Sequence, residues 1–315
     1  MTIWCTAPAM TPALRLPVPD ARFLRGVARL LGALPPPLLD RVGRTIGLAA
    51  DVLSLRLART TDRNLALCHY DLPTRARRRL ARRALAADGR LLLDVVRSWG
   101  SSDPLALGAK LDPESRRLWE TPAERGKLLL VPHLGNWEWL NLWLQHQLQD
   151  DGGLTALYEP LRDPMLDALV GERRRASGAS LLATDRAGLR AFVRRLEAGG
   201  TVALLPDQVP PCGARVLAPF YGRPAWTMTL VGRLVRRFQP RVLIATALIE
   251  CSTAPRYRVI FQSAPTDLAA QDPMSAAHAL NGAVERAIAL APEQYQWGYK
   301  RFRHATPGGG DCYRG

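Results

Sequence analysis

Apolar residues recur at helical spacing over residues 22–58, and arginines fill many of the positions between them. Pro35-Pro36-Pro37 interrupts this pattern, and proline breaks a helix interior because it lacks an N–H donor. The pattern therefore predicts two amphipathic helices with a kink between them. An apolar face opposite a basic face is typical of helices that lie in an anionic membrane interface, and packing against the core is the alternative.

A helical stretch at 74–98 follows, and from Lys127 onward strands and helices alternate. The predicted strands are 128–132, 154–158, 179–183, 202–205, 241–249 and 257–262, and the predicted helices are 136–148, 164–176, 187–198, 227–238 and 275–290. Such alternation predicts an α/β fold with a mostly parallel sheet covered by helices. We divide the chain into a disordered lead-in (1–20), amphipathic helices (21–60), a main domain (61–305) and a flexible tail (306–315).

Composition narrows the class of protein. The 315 residues are 47% hydrophobic and 23% charged, which suits a folded chain and excludes disorder over most of its length. No apolar run reaches the roughly 18 residues that a spanning helix needs. The 43 basic and 28 acidic residues give a net charge of +15, and arginine supplies all but three of the basic ones. We therefore expect an anionic partner: nucleic acid, an anionic membrane face or a phosphorylated substrate.

The cysteines and the N-terminal sequence indicate the cellular compartment of the protein. The five cysteines are scattered and form no C-x-x-C pair, so neither a zinc site nor a disulfide framework is predicted. Residues 1–20 lack the basic region, apolar core and small-residue cleavage site of a signal peptide. Both observations favour a reducing, cytoplasmic environment for the body of the protein.

The clearest chemical signal is Val131-Pro132-His133-Leu134-Gly135-Asn136-Trp137-Glu138, where a strand ends and a helix begins. Residues five apart lie about 140° off-face in a regular helix, so His133 and Glu138 can meet only if His133 precedes the helix. A carboxylate beside an imidazole fixes its tautomer and stabilises its cation, which makes the histidine a general base. No serine or cysteine lies next to His133, so the base would act directly on a substrate hydroxyl.

This segment and those after it resemble the late acyltransferases of lipid A assembly, relatives of the glycerol-phosphate acyltransferases. These enzymes carry H-x-x-x-x-[DE] after a strand. The other matching segments are Tyr158-Glu159-Pro160-Leu161-Arg162-Asp163-Pro164, Arg174, Leu205-Pro206-Asp207-Gln208, Pro219-Phe220-Tyr221-Gly222-Arg223-Pro224-Ala225 and Ala291-Pro292-Glu293-Gln294-Tyr295-Gln296-Trp297 with Arg301-Phe302. Their order and spacing agree across residues 60–305.

The resemblance implies a glycerol-phosphate-acyltransferase-like α/β fold with an N-terminal amphipathic helical membrane anchor. It also implies transfer of a fatty acyl chain from acyl-carrier protein to a hydroxyl of a phosphorylated lipid A precursor. His133 would be the general base, with Glu138 supporting it, and backbone N–H groups at the start of the helical segment 135–148 could hold the oxyanion. The implied substrate-binding residues are Arg174, Asp207, Gln208 and Asn136, with Asp207 on a sugar hydroxyl or on Arg174.

The expected partners are acyl-carrier protein, the glycolipid acceptor and the anionic cytoplasmic face of the inner membrane. We expect no cofactor, no metal and no nucleic acid. Four alternatives stay open. Another lipid could be the acceptor, or the chain could be a non-catalytic membrane-surface protein with this fold. A metal hydrolase would need a second histidine where Trp137 stands, and a nucleic-acid-binding protein would need a motif that is not recognised here.

Overall fold

A computed structural model describes residues 21–101, 103–159, 180–210, 214–250, 254–305 and 312–313. Three sequence predictions fall outside these ranges. They are the lead-in 1–20, the helix at 164–176 and nearly all of the tail 306–315.

Four helices precede the sheet: α1 (Ala21–Ala33), α2 (Pro36–Val52), α3 (Arg56–Cys68) and α4 (Thr74–Gly100). The proline triplet separates α1 from α2, and Pro36 occupies the first turn of α2, where its missing N–H is not needed. The predicted helix break at the proline triplet is therefore confirmed, whereas the second helix ends at Val52 and a third, α3, begins at Arg56 inside the range predicted for the pair. No helix among the described residues has the length and apolar character to cross a bilayer.

A seven-stranded sheet forms the centre of the molecule. Its strands are β1 (Ala109–Lys110), β2 (Lys127–Leu130), β3 (Leu154–Tyr158), β4 (Ser180–Ala183), β5 (Thr201–Leu204), β8 (Arg241–Ile249) and β9 (Tyr257–Ser263), while β6 (Arg215–Phe220) and β7 (Arg223–Met228) form a separate hairpin. The order across the sheet is β1-β9-β8-β2-β5-β3-β4, and β9 runs antiparallel to β8. The predicted α/β fold with a mostly parallel sheet is confirmed.

Helices cover both faces of this sheet. They are α5 (Pro113–Glu120), α6 (Trp137–Gln147), α7 (Arg186–Glu197), α8 (Leu230–Phe238) and α9 (Pro273–Ile288). Apolar side chains of α5 and α6 pack in one core cluster, and those of α3, α4, α7, α8 and α9 pack in the other. Two covered faces explain why the strands read as nearly continuous apolar runs.

The helix predicted at 227–238 is wrong at its start. Residues up to Met228 belong to β7, and Thr227 pairs with Val216 of β6 across the hairpin. The two residues of the turn, Tyr221 and Gly222, have φ values of 48° and 71°, as a tight hairpin turn requires. The helix α8 begins only after the hairpin has ended.

Glycines let α2 lie directly on α4. A Cβ atom at Gly47 would lie 1.8 Å from the carbonyl oxygen of Leu85, and one at Gly89 would lie 2.1 Å from that of Gly43. The opposite face of α2 exposes Leu38, Val42 and Ile46, which follow one another at four-residue spacing. The helix therefore buries its two glycines together with Leu39, Asp40 and Ala50, and it leaves the row Leu38, Val42 and Ile46 exposed to solvent.

We expect Gly47→Ala to lower the free energy of unfolding by about 1–3 kcal/mol, because two backbones must separate to admit the methyl group. Urea denaturation followed by circular dichroism measures the change. Gly282→Ala in α9 is the matched control, since its Cβ meets only one side-chain atom at 3.7 Å. Equal stability of the two variants would contradict the close packing of α2 on α4.

Candidate active site

Strand pairing brings His133 and Asp207 together. The parallel strands β2 and β5 are in register, with Leu130 opposite Leu204. His133 and Asp207 each lie three residues beyond these partners, at the carboxyl ends of the two strands. Ligand-binding groups of open α/β sheets lie at this edge.

The imidazole of His133 is held by a buried carboxylate. Nδ1 of His133 lies 2.8 Å from Oδ1 of Asp207, and the main-chain N–H of His133 donates to Oδ2 at 2.9 Å. Burial alone would raise the pKa of Asp207, but the charge of His133 and these hydrogen bonds outweigh it and lower the pKa below its ordinary value. An ionised Asp207 accepts the Nδ1 proton, which leaves the lone pair of His133 on Nε2.

Nε2 of His133 faces a side-chain amide. The Nε2 atom of Gln208 lies 3.0 Å away, and because Asp207 fixes the tautomer, the amide must donate to the imidazole. The ring of Trp137 meets the imidazole edge-on at a centroid distance of 4.9 Å. Nε2 of His133 therefore carries the lone pair that would accept a proton, and Asp207 fixes the orientation of the ring. The hydrogen bond from Gln208 that this lone pair accepts can be displaced by a substrate hydroxyl.

The carboxylate at Nδ1 of His133 is that of Asp207, whereas the sequence motif predicted Glu138 in this supporting role. Glu138 lies in the second position of α6 and lines the cavity that His133 also lines. Asp207, predicted as a substrate contact, is buried behind His133 and is no part of that lining. The prediction followed local spacing, whereas the sheet joins residues that lie 74 positions apart.

Asn136 needs a similar correction. Its side chain is fully buried, caps α6 by accepting the N–H of Trp139 at 2.9 Å, and donates to Asp94 at 2.7 Å. A substrate contact would have to break one of these hydrogen bonds inside the core. The structure therefore gives Asn136 a role in fixing residues 133–136, which are called the catalytic loop after the role proposed for His133.

Main-chain hydrogen bonds hold the catalytic loop. The N–H of Gly135 donates to Gln294 at 3.0 Å, the N–H of Asn136 donates to Ala247 at 2.8 Å, and the carbonyl of His133 accepts from Gln296 at 3.0 Å. The expectation that N–H groups at the start of α6 hold an oxyanion therefore fails for Gly135 and Asn136, whose donors are already committed. The segment Gln294–Gln296, called the clamp, therefore fixes the catalytic loop through main-chain hydrogen bonds.

A cavity of about 850 Å³ opens beside His133. Strands β3 and β5 pair only over Leu154–Ala156 and Thr201–Ala203, and the lining includes side chains from the ends of both strands. The other walls come from α6, β4, α7 and α8 and are mainly apolar, while His133, Glu138, Arg186, Gln208 and Arg233 are among the polar lining residues. An apolar cavity with a few polar groups fits a long hydrocarbon chain with a reactive head.

A buried charge network supports the loop from behind. Arg256 donates to Asp40 of α2 at 2.7 Å and to Asp94 of α4 at 2.9 Å. Asp94 also accepts from Tyr257 and from Asn136. No sequence pattern pointed to Asp40, Asp94 or Arg256, because only packing brings these three residues together.

Of the predicted site residues, His133, Asp207 and Gln208 come together, Glu138 lines the shared cavity and Asn136 lies in the core. Arg174 lies outside the described residues. The site found in the structure is therefore a histidine held by an aspartate and faced by a glutamine.

Comparison with known proteins yields one family. Its sequence model, described as bacterial lipid A biosynthesis acyltransferase, matches residues 13–304. The chain is 25% identical over 286 residues to the lipid A biosynthesis lauroyltransferase of Escherichia coli K12, covering 90% of this chain and 91% of that protein. It is 28% identical over 292 residues to a lipid A biosynthesis acyltransferase of Haemophilus influenzae, covering 89% and 90%. It is 24% identical over 297 residues to the Escherichia coli K12 lipid A biosynthesis myristoyltransferase, covering 90% and 87%.

We expect Arg256→Gln to lower the free energy of unfolding by about 2–4 kcal/mol, because Asp40 and Asp94 lose the cation they share and keep Arg90 at 2.9 Å and Arg97 at 3.6 Å, respectively. Chemical denaturation measures the change. Arg258→Gln, two residues further along the chain, removes a partly exposed partner of Glu250 and should cost less than about 1 kcal/mol. A small effect at Arg256 would show that the network contributes little to holding α2 and α4.

Proposed function

Because the chain belongs to the family of bacterial lipid A biosynthesis acyltransferases, we propose that it transfers a fatty acyl chain from acyl-carrier protein to a hydroxyl of a lipid A precursor. The acyltransferase class follows from the family. The observation that supports acyl transfer to a hydroxyl is His133, which Asp207 orients and which lines a mainly apolar cavity. Another lipid acceptor is the alternative that the same geometry would serve.

In the proposed reaction His133 is a general base. The acceptor hydroxyl replaces the Gln208 amide at Nε2, gives its proton to Nε2, and attacks the carbonyl carbon of the thioester. The carbon–sulfur bond then breaks, and the leaving thiolate takes the proton from the imidazolium, so that an ester and a thiol form. Asp207 stabilises the imidazolium in between, and no acyl-enzyme is required.

Glu138 and the arginines serve the substrates in this proposal. Glu138 acts from the cavity wall beside the reacting atoms. The net charge of +15 suits three anionic partners: the acidic carrier protein, the phosphorylated acceptor and an anionic lipid surface. Arg174 is proposed to contact a phosphate or carboxylate of the substrate, and this role is supported by the sequence resemblance alone.

We further propose that the N-terminal helices lie in the cytoplasmic face of the inner membrane. Most of the exposed large apolar side chains fall between residues 30 and 57: Leu30, Leu38, Val42, Ile46, Leu48, Val52, Leu53, Leu55 and Leu57. Exposed arginines occur among them, at positions 29, 41, 44, 56 and 59. Apolar and cationic side chains together bind anionic lipid interfaces.

We expect His133→Ala and Asp207→Asn each to lower kcat by about 10²–10⁴-fold, because they remove the base or the group that orients it. The assay follows a new, more acylated lipid from acyl-carrier-protein thioesters of several chain lengths and a tetra-acylated, Kdo-bearing lipid A precursor. His146→Ala, at an exposed histidine of α6, should keep full activity. No product from the folded wild type would reject this acceptor, and undiminished product from His133→Ala would reject the mechanism.

The membrane proposal makes its own prediction. Replacing Leu38, Val42 and Ile46 together by serine should weaken binding to anionic phospholipid vesicles at least about tenfold, because three apolar side chains lose their contact with lipid. Vesicle co-sedimentation measures the binding. Met274→Ser with Leu290→Ser is the control, since both residues are exposed and lie far along the chain from α2. Equal loss in both variants would contradict a membrane face on α2.

A further inference from the structure

Acyl transfer to an alcohol places negative charge on the thioester carbonyl oxygen, and a hydrogen-bond donor must meet that charge. The catalytic loop offers few such donors. The N–H groups of Leu134, Gly135 and Asn136 donate to the carbonyl oxygens of Pro132, Gln294 and Ala247, respectively. The N–H of Trp139 donates to the side-chain oxygen of Asn136. Most main-chain donors beside His133 are therefore unavailable to a substrate.

Gln208 brings a donor to the right place. Its side chain lines the cavity, and its amide nitrogen lies 3.0 Å from Nε2 of His133. An attacking hydroxyl must come within about 3 Å of the same Nε2 atom. The amide and the reacting carbonyl group are therefore neighbours, because both lie around one imidazole nitrogen.

The lone pair on Nε2 can accept only one proton donor at a time. When the acceptor hydroxyl binds there, it displaces the N–H of Gln208. The released amide then has two N–H donors beside the carbonyl that the hydroxyl attacks, and no other hydrogen bond of that amide nitrogen competes among the described residues. The exchange supplies a donor at the step in which the oxyanion forms.

We propose that the side-chain amide of Gln208 is an oxyanion donor of this acyltransferase. The inference rests on the proposed acyl transfer. As the hydroxyl oxygen bonds to the carbonyl carbon, the carbon–oxygen π pair moves to the carbonyl oxygen, and Gln208 donates a hydrogen bond to it. When that pair returns, the carbon–sulfur bond breaks and the thiolate takes the proton from Nε2.

Tyr299 is the positioning residue for this amide. The N–H of Val209, next to Gln208, donates to the hydroxyl of Tyr299 at 2.9 Å. The carbonyl of Tyr299 accepts from Asn64 of α3 at 2.7 Å, and Asn64 also binds the carbonyl of Trp297 at 2.6 Å. Because Asn64 is buried, this anchoring ties the loop that carries Gln208 to the core.

Steady-state kinetics of three Gln208 variants test the proposal. Gln208→Leu and Gln208→Glu remove the N–H donors and should lower kcat about 10²–10³-fold with little change in the KM for either substrate. Gln208→His retains an N–H donor and should recover activity to within about tenfold of the wild type. Gln147→Glu, at an exposed glutamine of α6, is the matched control and should behave as the wild type.

Tyr299→Phe gives a second, milder measurement. It keeps the ring but removes the acceptor of the Val209 N–H, and we expect kcat to fall about tenfold while both KM values hold. Circular dichroism and the melting temperature of each variant show that it is folded.

The results of these assays distinguish a failure of the proposed acyl transfer from a failure of the role proposed for Gln208. An inactive wild type would overturn the proposed acyl transfer and the inference that rests on it. An active wild type with unchanged kcat in Gln208→Leu would overturn the inference alone. The main-chain N–H groups of Trp137 and Glu138 would then be the donors to the oxyanion. A raised KM with unchanged kcat would also overturn it, because Gln208 would then bind substrate without stabilising the transition state.

Discussion

The register between β2 and β5 is the constraint on which the site depends. Parallel strands end at the same edge, so in-register pairing carries His133 and Asp207 to equal distances beyond it. A carboxylate as buried as Asp207 is stable in its charged form only with strong donors, and the imidazole and main chain of His133 supply them. A one-residue shift between these strands would separate the pair and leave a buried charge without a partner.

The catalytic loop is held from three directions. The end of β8 binds it through Ala247, the clamp at Gln294–Gln296 binds it through the main chain, and Asp94 binds it through Asn136. Gln294 also hydrogen bonds both main-chain groups of Ile249 with its side chain, which joins the clamp to β8. Such fixation keeps the imidazole aimed before any substrate arrives, which is how preorganised sites limit the cost of reaching the transition state.

The polar contacts behind the loop continue into the N-terminal helices. Asp40 lies on the buried face of α2, Arg256 bridges it to Asp94, and Asp94 reaches the cap of α6. The opposite face of α2 carries the exposed apolar row. The helix proposed to meet lipid is therefore connected to the catalytic loop through side chains that are almost entirely buried.

Sequence alone determined the α/β alternation, the helix break at Pro35-Pro36-Pro37 and the position of His133 between a strand and a helix, because periodicity, proline geometry and motif spacing act over short stretches of chain. The motif segments also led to the correct family. Tertiary structure alone decided that Asp207 holds Nδ1, that Asn136 caps a helix in the core and that Gln208 faces Nε2. It also decided that residues 215–228 form a hairpin. The difference is physical: local patterns report on neighbours along the chain, whereas a hydrogen bond between residues 74 positions apart exists only once the strands between them have paired.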